Sequence, residues 1–61
     1  MKTKIIANLV PGDVIILGNQ IHVVIKLKKA PTQYHRIVVT RQVSVEEEIE
    51  LHGLDVADII K

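Results

Sequence analysis

Three histidines, seven acidic residues, eight basic residues and one tyrosine carry the ionisable side-chain chemistry of this 61-residue chain. His22, His35 and His52 are the imidazoles. His22 and His35 sit in separate apolar runs and can meet across a strand ladder. A metal would need a third ligand, such as Asp13 or a glutamate, and no ligand-pair spacing is present. They read as partly exposed strand histidines, and no metal is expected. A pH-sensitive contact stays open, because imidazole titrates near neutrality. Glu46, Glu47, Glu48 and Glu50 form an acidic row. General acid–base catalysis needs two carboxylates in different environments. A contiguous row reads instead as a solvated face, with Lys26, Lys28 and Arg36 on neighbouring strands as its ion-pair partners. Ser44 is the one serine, and there is no cysteine. Gly12 and Gly18 flank an apolar run, and no helix start follows either, so they do not form a phosphate loop. The expectation is a protein that is not an enzyme and uses no cofactor.

The basic residues offer a different chemistry. Lys26, Lys28 and Lys29 lie before the loop "APTQY", and Arg36 and Arg41 lie after it. Tyr34, the sole aromatic, sits in that loop. Cations around a tyrosine can hold the phosphate of a nucleotide or a single strand while the ring stacks on a base. These six residues are the candidate phosphate or nucleotide site. Against a dedicated nucleic-acid binder stands a net charge of only +1.

The elements that must position these groups follow from composition and punctuation. The chain is 48% hydrophobic but 2% aromatic, so Val, Ile and Leu must build its core. β-Branched residues favour strands. Residues 1–61 are read as one domain. The opening "MKTKIIANLV" is broken by Asn8 and Pro11, too early for a signal peptide. No run reaches transmembrane length. The expectation is a soluble, cytoplasmic protein with no membrane partner.

Residues 4–10 predict a first strand. "VPGD" predicts a turn, with proline at the second position and glycine supplying the positive torsion at the third. Gly18-Asn19 between "VIIL" and "QIHVVIKLKK" predicts a hairpin with a primed turn. That loop pairs Leu17 with Gln20, Ile16 with Ile21, Ile15 with His22 and Val14 with Val23. Val14, Ile16, Ile21, Val23, Ile25 and Leu27 then form a wholly apolar face, taken as the core face. Pro31 ends the second arm. "QYHRIVVTRQ" predicts another strand. "VSVEEEIEL" alternates and predicts a strand, with a helix starting at the glutamates as the alternative. The tail predicts a short helical turn capped by Asp55, with Val56, Ile59 and Ile60 as its apolar face.

Together these give a mostly β chain: a small four- or five-stranded barrel or bent antiparallel sheet with a short C-terminal helical turn. Pro-Gly-Asp before a strand, the tight hairpin and "IHVVIKL" resemble the opening of small Src homology 3-like barrels over about the first half of the chain. That resemblance implies a fold and leaves function open. The rhythm of "GDVIILGNQIHVVIKL" and "RIVVT…VSVEEEI" is also similar to the carbon storage regulator family of dimeric RNA-binding proteins. That family opens on a basic strand and carries an arginine before a late acidic pair. Here the opening is "KTKIIANLV", and Val45 and Glu46 stand where the arginine would be. No RNA-contact residue carries over.

With the core face assigned as above, Ile15, Leu17, Val24 and Val38 fall on the opposite face and need a cover. They are the candidate interface for a second copy or another protein. The expected function is a non-enzymatic binding or adaptor module, a homo-oligomer acting as a regulatory or accessory factor through protein contacts. The alternative is an oligomer that binds nucleic acid or a nucleotide through Lys26, Lys28, Lys29, Tyr34, Arg36 and Arg41.

Overall fold

A computed structural model describes residues 2–60 of the chain. They form β1 (Lys2–Ile5), a 3-10 turn (Ile6–Asn8), β2 (Val14–Leu17), β3 (Gln20–Lys29), β4 (His35–Gln42), β5 (Val45–His52) and β6 (Val56–Ile59). All pairings are antiparallel, in one six-stranded sheet of order β1-β6-β2-β3-β4-β5. The first strand is shorter than expected, because the 3-10 turn takes over at Ile6. The glutamate-rich segment is a strand, as its period-two pattern requires.

Both punctuation signals make the turns expected of them. Gly12 has φ 96°, and the Asp13 N–H donates to the Val10 carbonyl at 3.1 Å, closing the Pro-Gly turn. Gly18 and Asn19 have φ 55° and 65°, the positive pair of a primed hairpin turn. The register of that hairpin is the expected one in all four pairs.

The faces are inverted. Ile15, Val24 and Val38 are 0–1% exposed and form the core with Ile6, Leu9, Ala57 and Ile59; Leu17, Leu27 and Leu51 pack against them. Ile21 and Val23, assigned inward above, are 56% and 42% exposed. The physical reason lies outside the hairpin. β6 pairs with β2 and sets Ile59 beside Ile15, while Ile6 and Leu9 from the 3-10 segment close over the same side. A register shift between Val24 and Lys26 adds a second cause. One extra residue there moves Leu27 onto the same face as Val24, so no single alternation spans β3.

The C-terminal segment is corrected as well. Val56–Ile59 is a strand inserted between β1 and β2, not a helical turn. Pairing with two neighbours outweighs the weak local preference of so short a segment. A closed barrel is likewise replaced by an open sheet with β1 and β5 at its edges. One corner is nevertheless stitched. Gly53 donates its N–H to the Tyr34 carbonyl at 2.7 Å and accepts the Ala7 N–H at 3.0 Å, while the Ile6 N–H reaches the Asp55 carbonyl at 2.8 Å.

Candidate functional site

The six residues expected to bind phosphate divide into two groups. Lys26, Lys28 and Arg41 lie on β3 and β4 with side chains on the face away from the core. Lys28 Nζ donates to Glu48 at 2.8 Å, and an Arg41 guanidinium nitrogen donates to Glu46 at 3.0 Å. The Lys28 ammonium, by hydrogen bond and then by charge, holds the Glu48 carboxyl below its ordinary range. Of the partners expected for the glutamate row, Lys28 makes its ion pair, but among the described residues Lys26 has no carboxylate within 4.0 Å and Arg36 lies on the opposite face, while Arg41 supplies the second pair.

Lys29, Tyr34 and Arg36 gather at the end of the sheet where the β3–β4 loop meets the β5–β6 turn. Lys29 and Arg36 are direct cross-strand partners. Among the described residues, neither has a carboxylate within 4.0 Å. Arg36 Nη1 donates to the carbonyls of Gln33 at 3.1 Å and His35 at 2.8 Å. Those bonds fix the guanidinium and leave its remaining donors unspent. Thr32 Oγ1 and His35 Nδ1 share a hydrogen bond of 2.6 Å. Lys29, Thr32, Gln33, His35 and Arg36 line an open cleft of about 350 Å³.

A second cleft of about 240 Å³ adjoins it, sharing Gln33 and Arg36, with Tyr34, His52 and Leu54 on its walls. The Tyr34 and His52 rings are within 14° of parallel, their centroids 6.5 Å apart. His35 packs its ring edge-on to His52 at 5.3 Å. His52 Nδ1 accepts the Leu54 N–H at 3.1 Å, which puts the proton of the neutral ring on Nε2. His35 and His52 pair directly across β4 and β5. Sequence reasoning missed His52 because the turn that brings it there, Val43-Ser44, carries no glycine or asparagine. Gln42 pairs with Val45 across it; counting outward from that two-residue turn would have placed His52 opposite His35.

The third histidine has a structural task. His22, 3% exposed, bonds through Nδ1 to Oγ1 of the fully buried Thr40 at 3.0 Å. Among the described residues no group of three or more His, Asp or Glu side chains is placed to hold a metal ion. No helix among them is long and apolar enough to cross a membrane.

Ile15, Leu17, Val24 and Val38, expected to meet a partner, instead belong to the subunit's own core. A group of the apolar residues left outside lies on the opposite face. Ile60 neighbours Val14, which pairs with Val23, and Ile16 pairs with Ile21. On that face Asp58 borders the strip on one side, through its pairing with Ile16, and Arg41 borders it on the other, through its pairing with Val23. Comparison with known proteins finds no matching family model, no matching curated protein and no matching solved structure.

Proposed function

We propose that this chain is a non-enzymatic binding module of the cytoplasm that works as a homodimer and acts through protein contacts as an accessory or regulatory factor. We read its fold as a Src homology 3-like barrel left open on one side. The supporting observation is the outer apolar strip of Val14, Ile16, Ile21, Val23 and Ile60, in which Ile21, Val23 and Ile60 are 56%, 42% and 46% exposed. A contiguous exposed apolar patch marks an association surface. Its occupant is a second copy of this chain. The strip carries Asp58 on one side and, on the other, Arg41, whose guanidinium also holds Glu46. A twofold axis parallel to the strands therefore lays Asp58 of one copy over the Arg41 side of its mate. Such an isologous pairing is the commonest closed symmetry.

Sedimentation at low micromolar concentration tests this. The dimer is the expected species, and Ile21→Asp converts it to a folded monomer. A wild-type monomer across that range overturns the proposal. Ile15→Asp is the wrong probe, because Ile15 is fully buried and the change reports on folding rather than association.

A further inference from the structure

We infer that the paired clefts at the β3–β4 end form a nucleotide site, in which Tyr34 and His52 hold a nucleobase and Lys29 with Arg36 hold its phosphate. Three independent features point to this ligand. Like charges directly opposite one another on neighbouring strands repel. Lys29 and Arg36 occupy such a pair, and among the described residues neither has a carboxylate within 4.0 Å; Lys4, Lys28 and Arg41 each have one, and Lys26, which has none that close, still faces Glu48 and helps to lower its carboxyl. An anion in the adjoining cleft of about 350 Å³ relieves that repulsion. The Arg36 guanidinium is held by two loop carbonyls and keeps donors for a phosphate.

The ring geometry supplies the second feature. Tyr34 and His52 are near-parallel at 6.5 Å and both line the second cleft. The exposed Tyr34 ring offers a base a stacking face, and His52 lies alongside it. Third, the two clefts share Arg36 and Gln33. Base and phosphate sites are therefore contiguous, as in one nucleotide. Gln33 adds an amide able to donate to, and accept from, a base edge. The site stands apart from the apolar strip and does not depend on dimerisation.

The same chemistry is found in a free mononucleotide and at one position of a single strand, so both are probed. Amide chemical shifts of the full chain are followed on adding adenosine monophosphate, adenosine, inorganic phosphate or hexa-adenylate RNA. Saturable shifts confined to residues 29–36 and 52–54 are expected with adenosine monophosphate, and weaker binding with adenosine or phosphate alone. Saturation at these residues by the RNA only also supports the site and assigns its ligand to a strand. Tyr34→Ala weakens binding about ten-fold with an unchanged melting temperature, as expected for loss of one stacking face. Lys29→Gln weakens the nucleotide and leaves adenosine unaffected. No saturable shift with either the nucleotide or the RNA overturns the inference. So do equal affinities for phosphate and nucleotide, a Tyr34→Ala variant that binds as wild type, or shifts centred on Lys26, Lys28 and Arg41.

Discussion

At the scale of single residues, one buried pair and one turn residue break the local rules of a β protein, and each makes a prediction. His22 and Thr40 are a polar pair inside an aliphatic core, and they satisfy each other. Removing one member of a buried pair leaves the other unpartnered, at a cost of about 1–3 kcal/mol, whereas replacing both with apolar groups of similar shape is nearly neutral. Thr40→Val should therefore destabilise by that amount in urea unfolding, and His22→Leu combined with Thr40→Val should recover most of it. Additive losses in the double variant would contradict the pairing. Val43 is the turn residue. It is 94% exposed at the β4–β5 turn with φ 58°, a left-handed backbone that a β-branched side chain resists. The strain of such a residue is about 1–2 kcal/mol. Val43→Asn should raise the melting temperature by relieving part of it, and a lower melting temperature would show that Val43 makes a stabilising contact.

At the scale of elements, the Pro-Gly turn is tied to β1 through Asp13. Its carboxylate accepts the Val10 N–H at 2.9 Å and the Lys4 ammonium at 3.0 Å. The Val10 amide, helped by Lys4 and opposed by burial, holds the Asp13 carboxyl below its ordinary 3.8. A carboxyl depressed in the folded state stabilises the fold above its unfolded value and loses that contribution as pH falls through the folded one. Asp13→Asn should thus be less stable than wild type at neutral pH and approach it as pH falls through the lowered value of the folded-state carboxyl. A stability difference that stays constant down to pH 2 would exclude this linkage. The stitched corner makes a steric prediction. A Cβ added at Gly53 would lie 3.4 Å from the Tyr34 carbonyl oxygen and 3.7 Å from the Ala7 Cβ. Gly53→Ala fits within ordinary contact, whereas the branches of Gly53→Val overpack the corner, for about 1–3 kcal/mol. Equal melting temperatures for the two variants would mean that the corner yields freely.

These elements also show what local sequence can and cannot carry. Both turns and the hairpin register were legible, because glycine, proline and asparagine act within four residues. Which face of the hairpin turns inward was not. Val14, Ile16, Ile21 and Val23 are as apolar as Ile15, Leu17 and Val24, so alternation alone cannot choose between the faces. The choice is made by Ile59 arriving beside Ile15 from the far end of the chain. The same non-local pairing turned the expected helical tail into β6. At the candidate nucleotide site, Lys29, Tyr34 and Arg36 were legible from their clustering. His52 was hidden behind a turn formed by an atypical residue, Val43.

At the scale of the whole molecule, the face inversion moves the proposed association surface without removing the need for one. A 61-residue chain buries a smaller share of its surface than a larger domain does. Here its fully buried side chains are mostly Ile and Val, with no disulfide available. Ile5 and Val56 extend the exposed apolar area beyond the strip, at 39% and 62% exposure. If a second copy covers this face, folding and association are linked, and mass action makes stability depend on protein concentration. The melting temperature should rise with concentration between about 1 and 100 μM, by several degrees for each kcal/mol gained. Ile21→Asp should abolish the slope while leaving a melting transition close to that of the dilute wild type. Arg41→Glu places an acid where the proposed twofold brings Asp58, so it should reduce the slope through repulsion. Asp58→Lys added to Arg41→Glu should restore it, because the two exchanged charges again meet across the axis. A flat concentration profile in the wild type refutes the dimer. Failure of the double exchange to rescue a sloping profile refutes this twofold arrangement.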